Sequence, residues 1–504
     1  MQLCAFPAVS FAGVAMFPAL TRVLSSYSLH AAARMLLFAF TLATFLVPEL
    51  VERAFAAKKS GEPLLPPLTS PLEFTVSVHG SGEAPTVLII GGIQGDEPGG
   101  FSAAALLDTH YHYEKGTVLV IPNLNFPSII KRSRGLHGDM NRKFATLHES
   151  DPEYDTIRRL QRIITRPEVD LVLNLHDGSG FYRPTWESST HNPERWGQSV
   201  IIDQEEVPGI AFGNLAENAR HVVEEVNNCL LSDQHILHVR NTRTGEGDEE
   251  MAKSLTWFAL NHGKAAYGLE VSKDFGVKER TYYQLRMVEA FLRMAGVEFE
   301  RDFALSTDGI LSALGSGVYA GFMDNRLVLP LSGVRSNLAG TIPLPEGGEK
   351  TLSANMPIVA VSGERGRLTI HYGNNMVTSF RPEWRERDNS IDSVRVLVDG
   401  EEQTVHFGDE IRPREHFLVK KIPGFRVNAI GATLGADESG LTIRRSDFRE
   451  NYSLDTAGDI YRVEVYRESR YAGTFTVRFG APGIKVTTPL TLPAVKGRES
   501  RLGW

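Results

Sequence analysis

The chain has 504 residues, which sets a prior of about three domains, each long enough to bury its own core. A formal net charge of -8 with 23% charged residues is an ordinary balance and argues against nucleic acid as a partner. Only Cys4 and Cys229 occur, so neither a disulfide scaffold nor a cysteine-built metal site is available.

At the N-terminus Arg34 precedes the apolar run Met35 to Val47, and Ala54-Phe55-Ala56 follows with small residues at its outer positions. A run of about thirteen residues is short for a membrane span and suits a secretory apolar region with a cleavage site. Residues 1–57 are therefore read as signal peptide and leader, with export as the consequence and no stable membrane insertion after cleavage. Glu49, Glu52 and the long stretch before Arg34 depart from that pattern. A later start at Met35, or an uncleaved anchor, is the alternative. Cys4 would leave with the leader, and Cys229, late in the apolar-patterned stretch Leu215 to Leu230, reads as a small buried hydrophobe.

From Lys58 to Ser70 the chain is rich in Pro, Gly and Ser, a flexible lead into the first domain. Strand-like stretches then alternate with helical ones. Thr86 to Ile90, Thr117 to Pro122, Leu171 to Leu175 and Ala265 to Val271 read as strands. Phe101 to Leu107, Asp155 to Arg166, Leu215 to Leu230 and Thr281 to Ala295 read as helices. Such alternation predicts an α/β domain, residues 58–303, with a sheet covered by helices on both faces.

After Asp308 the character changes to short runs punctuated by Gly, Pro and Asn, such as Leu327 to Leu331, Ile358 to Ser362 and Leu368 to Tyr372. Beyond the charged stretch Arg385 to Asp388, the runs Val394 to Val398 and Gln403 to Phe407 flank Asp399-Gly400, a primed-turn hairpin signal. Tyr461 to Tyr466 and Thr474 to Phe479 alternate in the same way. Two small all-β domains of sandwich or immunoglobulin-like type are the economical reading, residues 304–390 and 391–487, with a tail at 488–504.

The chemistry concentrates in the first domain. The stretch TVLIIGGIQGDEPGG, Thr86 to Gly100, reads as a buried parallel strand delivering a tight loop. That loop places two oxygen ligands, Gln94 and Glu97, at the carboxyl end of a strand, where open α/β sheets hold their sites. The plainer reading is a turn whose Asp96 or Glu97 caps the next helix. Two later stretches shift the balance: KRSRGLHGDMNRKF, Lys131 to Phe144, and NLHDGSGFY, where His176 ends a strand.

With these motifs the chain resembles the zinc carboxypeptidase family, in which a short ligand-x-x-Glu element is paired with a distant strand-end His, with an Arg and an Asn-Arg pair between them. It is closer still to the bacterial cell-shape D,L-carboxypeptidases that trim peptidoglycan stem peptides, where the first ligand is Gln in place of His. GGIQGDEPGG, GDMNRKF, NLHDGSGFY and GLEVSKDF match that branch in order, over roughly Phe74 to Arg301. The implied fold is a carboxypeptidase-like mixed sheet flanked by helices. The implied function is periplasmic removal of the terminal diaminopimelate-type residue from stem tripeptides, modifying the wall and cell shape, with peptidoglycan muropeptides as partners.

The resemblance implies one Zn2+ per chain, held by Gln94, Glu97 and His176. Three protein ligands leave a fourth position for water and bring that water's pKa from about 15.7 to about 7. Replacing His by Gln exchanges one neutral ligand for a harder, weaker one, which lowers affinity and loosens metal choice. Asp96 and Asp177 are positioned to orient ligands or to be solvated turn carboxylates. Glu270, at the end of GKAAYGLE, is the implied catalytic base, with a strand-end ion pair to Lys273 as its plainer role. Arg134 matches the family's oxyanion-side Arg, with Arg132 as substitute. For Lys131 and Arg132 a solvated basic turn is the preferred reading.

Asn141 and Arg142 suit a free carboxylate, because a guanidinium grips both oxygens. Asp139 either holds Arg142 or is a turn residue. Trp196, Thr256 and Trp257 lie where the family builds specificity, although lone Trp residues more often pack. Two rival readings remain at this point. One is an amidohydrolase like the aspartoacylase and succinylglutamate desuccinylase branch; the other is a non-catalytic protein that binds cell-wall peptides.

Overall fold

The computed structural model describes residues 72–480 apart from 365. The leader, the Lys58 to Ser70 stretch and the C-terminal tail lie outside the described residues. Seven strands form the central sheet, in the order Ser77–Gly80, Thr117–Ile121, Thr86–Ile90, Leu171–Gly178, Ala265–Ser272, Ser199–Ile202 and His238–Asn241. The central four, Thr117–Ile121 through Ala265–Ser272, run parallel. Both edges introduce antiparallel pairs, so the sheet is mixed.

All five residues of Thr86–Ile90 and all eight of Leu171–Gly178 are buried. Parallel strands covered on both faces have no solvent side, which is why these runs are continuously apolar and not alternating. Helices Pro98–Thr109 and Val277–Ala295 pack on each other and on the Leu171–Gly178 strand.

Helix ends differ from the sequence expectation for identifiable reasons. Pro98 occupies the first turn, a position where its missing N–H costs nothing, so that helix begins three residues before Phe101. Helix Val277–Ala295 begins after Gly276, which gives no side-chain cap, and closes on Gly296 at φ 81°. The helix Leu215–Asn227 stops before Cys229, which is half-buried in the following turn and not the core residue expected.

A helix also opens the segment expected to be all β. Ser306 accepts a hydrogen bond from the Gly309 N–H at 3.1 Å and starts Thr307–Gly315, which packs on Val277–Ala295. The helical layer therefore continues past Arg301. Next come a three-stranded sheet around Tyr319–Phe322 and a four-stranded sheet containing Val359–Glu364, Arg367–Tyr372, Asn375–Trp384 and Asn337–Leu344. Their buried side chains, Phe322, Ile342, Ile370 and Phe380 among them, belong to one continuous core with the α/β part. The turn at Gly373 sits so close to Phe101 that an added Cβ would lie 2.8 Å from its ring.

The last segment is built differently. Two four-stranded sheets enclose a separate core of Val394, Val396, Phe417, Val463, Phe475 and neighbours. Its first hairpin, Ser393–Val398 to Glu401–His406, turns through Asp399 at φ 50° and Gly400 at φ 90°, the primed turn expected from Asp-Gly.

Candidate active site

The parallel strands deliver the candidate residues to their carboxyl ends. His176 is the sixth residue of Leu171–Gly178 and Glu270 the sixth of Ala265–Ser272, and the two are direct register partners. Side chains on adjacent parallel strands in register project to the same face, so both reach the same cavity. Gln94 and Glu97 come from the loop after Thr86–Ile90. All four line a cavity of about 270 Å³, together with Arg134, Asn141, Arg142, Trp196 and Thr256.

Three of these side chains converge on one point. His176 Nδ1 lies 3.2 Å from Gln94 Oε1 and 3.0 Å from Glu97 Oε2, and all three residues are at least nine-tenths buried. The Gln94 amide is oriented by its other end, where Nε2 donates to Asp139 Oδ1 at 2.7 Å. Glu97 Oε2 also accepts from the Asp177 N–H at 3.0 Å. Glu97 stands at the N-cap of helix Pro98–Thr109 and makes no side-chain cap, so the plainer capping reading fails.

The donor set tests the fit of a metal. It offers an amide oxygen at 3.2 Å and a carboxylate oxygen at 3.0 Å from one imidazole nitrogen. A four-coordinate ion with bonds of about 2.1 Å requires ligand atoms about 3.4 Å apart. The set therefore fits a divalent ion of zinc's size with little adjustment. Among the described residues no cluster of three or more His, Cys, Asp or Glu suits a metal, which follows from the first donor being Gln.

Glu270 stands apart from the cluster and makes no ion pair among the described residues. Lys273 does not pair with it: the ammonium lies 2.9 Å from Asp96 Oδ2 and 3.2 Å from Glu97 Oε1. Burial, reinforced by the charges of Glu97 and Asp177 and opposed by His176 and Lys273, pushes the Glu270 carboxyl up to about 7. Burial disfavours the charged form of His176, but the Glu97 carboxylate outweighs it and holds the ring above its ordinary value. Room for Glu270 depends on Gly178, where an added Cβ would lie 2.7 Å from Glu270 Oε2 and 2.6 Å from Gly197 N.

Arg134 is half-exposed at the cavity rim, 2.9 Å from Asp139 Oδ2 and 3.5 Å from Glu97 Oε1. Asp139 thus holds Gln94 and Arg134, and it also accepts from the Asn141 N–H at 3.0 Å. Arg132 turns away from the cavity, donates to Asn374 O and Asn375 Oδ1, and ties the loop to the middle segment. It is an exposed residue of a basic turn, as expected, and not a substitute for Arg134.

Asn141 is partly committed. Its Oδ1 accepts from the Leu255 N–H at 2.9 Å, and its Nδ2 lies 3.4 Å from His176 Nε2. Arg142 lines the cavity, with Nη1 donating to Asn141 O at 3.0 Å, Nη2 4.0 Å from Met251 Sδ and Nε 3.7 Å from Glu250 Oε2. Trp196 forms a wall with the Arg240 guanidinium stacked on it at 3.7 Å. Trp257 does not line the cavity; its ring packs 3.3 Å from the Cβ position of Gly245.

Among the supports of the site, Asp177 was named from the sequence, whereas Gln284 and Arg280 were not. Asp177 faces away from the cluster, accepting from the Gly99 N–H at 2.9 Å and pairing with Arg280 at 3.1 Å, and burial pushes its carboxyl up to about 6. An added Cβ on Gly99 would lie 2.4 Å from Asp177 Oδ1, so only glycine lets that helix start so near the strand. Gln284 donates to the carbonyls of His176 and Leu269 at 2.6 and 3.1 Å, clamping the two strands below the site. Lys273 carried a signal, since it lies three residues after Glu270 in GLEVSKDF. Gln284 and Arg280 carried none beyond being polar residues in a helix.

Comparisons with known proteins converge on the same region. A sequence profile described as the catalytic part of a carboxypeptidase controlling helical cell shape matches residues 72–314. One described as the C-terminal domain of metallo-carboxypeptidase matches residues 387–480. Solved structures of the cell-shape determinant protein Csd4 from Helicobacter pylori superimpose with a TM-score of 0.76 at 37% identity, covering 81% of this chain and all of theirs. One of these is a tripeptide complex, and a further one, with the same TM-score and identity and 80% coverage, is the mDAP-bound form of that D,L-carboxypeptidase. The N-alpha-acetyl-L-2,4-diaminobutyric acid deacetylase of Halomonas elongata is 33% identical over 111 residues, and the match spans 31% of that protein's length and 20% of this chain.

Proposed function

Because the chain belongs to the family of metallo-carboxypeptidases that control helical cell shape, we propose that it removes the terminal diaminopimelate-type residue from peptidoglycan stem tripeptides, outside the cytoplasm and with zinc as its metal. The carrying observation is the convergence of Gln94, Glu97 and His176 on one point, with Glu270 in register beside His176 in the same cavity. Gln94, Glu97 and His176 would hold the ion. Bound there, it would supply Lewis acidity, bringing a water toward ionisation at neutral pH and drawing charge from the scissile carbonyl.

The chain's own residues account for the rest. Glu270, in register with His176 and lining the same cavity, is placed to take a proton from the attacking water and return it to the leaving amine. Arg134, at the rim beside Glu97, is placed to stabilise the oxyanion that develops on the scissile carbonyl. Arg142 grips the free carboxylate of the substrate, and Asn141 contributes one amide N–H while its carbonyl steadies the Leu255 backbone. A site that anchors the chain end in this way acts as an exopeptidase.

The experiment is incubation of zinc-loaded protein with a stem tripeptide ending in diaminopimelate, followed by mass spectrometry. Dipeptide plus free diaminopimelate is the expected product. Intact tripeptide, with zinc bound at one per chain, would overturn the reading. Release of acetate from N-acetyl diamino acids instead would favour the amidohydrolase alternative.

A further inference from the structure

One polar side chain in the cavity has no role in the mechanism above. Asn174 lies two residues before His176 on the same strand and therefore on the same face. It is fully buried, lines the cavity, and neither Nδ2 nor Oδ1 has a hydrogen-bond partner. A buried amide unpaired at both ends has lost its water without replacement, so native structures rarely tolerate it unless something binds there.

The strand register shows what surrounds it. One layer below the pair His176 and Glu270, the next outward row across the sheet is Asn174, Gly268 and Ile201. Gly268 brings no side chain to that row, and an added Cβ would already lie 3.3 Å from Ile201. With no side chain at Gly268, a hollow is left in that row between Asn174 and Ile201, both of which line the cavity, as do Met251 and Thr256. Once the reaction centre and the Arg142 grip are assigned, this hollow is what remains for the side chain of the residue being released.

We infer that Asn174 is a specificity-determining residue that reads a side chain ending in both an amine and a carboxylate. Its Oδ1 accepts from the ammonium and its Nδ2 donates to the carboxylate, so one primary amide meets both halves of a zwitterion. This deepens the carboxypeptidase reading and rests on it for the direction in which the substrate lies. A lysine side chain, with its amine alone, would leave Nδ2 unpaired, and an apolar side chain would leave both atoms unpaired. Sites built to hydrogen-bond a group discriminate strongly against ligands that lack it.

The test is calorimetric binding of free diaminopimelate and free lysine to the zinc-loaded protein and to Asn174→Leu and Asn174→Asp, with cleavage of the matching tripeptides measured in parallel. The wild-type protein is expected to bind diaminopimelate about tenfold or more tighter than lysine. Asn174→Leu should bring that ratio toward one. Asn174→Asp, nearly the same shape, keeps the acceptor and repels the carboxylate, so it should lower the ratio further, and circular dichroism would verify its fold. A wild-type protein with no preference, or a preference that survives both substitutions, overturns the inference. Selective binding lost in the variants but without cleavage by the wild type would uphold Asn174 and overturn the carboxypeptidase reading.

Discussion

Asp139 sets the orientation of Gln94: the carboxylate takes the amide nitrogen at 2.7 Å, and the amide oxygen is thereby turned to His176 at 3.2 Å. An amide can flip, and a flipped Gln94 would present N–H groups to an ion. Asp139→Ala is therefore expected to weaken zinc binding by about 10–100-fold, the usual effect of removing a ligand's orienting partner. Competition with a chelator of known affinity measures it. Gln94→His, which supplies a ligand that needs no such orientation, should restore affinity in the Asp139→Ala background.

Glu270→Gln keeps the shape of the side chain and removes its basicity. The expected outcome is a fall in kcat of about 10²–10⁴-fold or more with zinc content unchanged, because Glu270 stands outside the ligand cluster. Metal analysis and steady-state kinetics on the same preparation decide it. Turnover close to that of the wild type would remove Glu270 as the base.

Gly178→Ala attacks the same carboxylate from behind. The new methyl would press on Glu270 Oε2 at 2.7 Å and on Gly197 N and Trp196 Cβ, each at 2.6 Å. Both kcat and folding stability should fall, and overpacking of this kind costs about 1–3 kcal/mol in denaturant titrations.

Arg142→Lys retains charge and loses the planar fork. A carboxylate held by two parallel bonds would then be held by one. KM for the tripeptide is expected to rise about tenfold or more, with a smaller change in kcat, and a tripeptide amidated at its C-terminus should lose the difference between wild type and variant.

The pH dependence of stability has a specific contributor in the last domain. Burial opposes ionisation of Asp455, but the Ser453 hydroxyl and the N–H groups of Ile460 and Asp459, the latter two at 2.9 Å, outweigh it and hold the carboxyl below its ordinary value. A folded-state pKa that is depressed gives stability present above the unfolded value, about 3.9, and lost as pH falls through the folded value. Asp455→Asn should therefore cost about 2 kcal/mol at pH 7, and the gap to wild type should close as the medium is acidified. Urea titrations of both proteins at neutral and acid pH measure it.

How much of this was legible before the coordinates depended on whether the signal was local. Thr86–Ile90 fell where a short β-branched run closed by paired glycines placed it, and the Asp399-Gly400 turn was fixed by two residues that tolerate positive φ. The four motifs that brought Gln94, Glu97, His176 and Glu270 into consideration are likewise local strings. Their convergence is not, since it depends on strands about 80 residues apart pairing in one register. Asn174 looked like any polar residue in a strand, because being orphaned is a property of the surroundings and not of the residue. Helix Thr307–Gly315 was hidden for the opposite reason: its Ser306 cap was in plain view, but one short helix before many turn residues reads as part of them.

The continuity of the large core fixes where this chain can be cut. Severing it after Arg301 would strip the cover from Phe101 and strand half of a greasy interior in water, so the middle segment has to travel with the catalytic one through any rearrangement of the gene. The final domain has an interior of its own, yet it also lends Leu454, Ile460, Tyr466 and Tyr471 to the large one. Deleting it would bare apolar surface on the middle segment, so a change in one of the two has to be answered in the other.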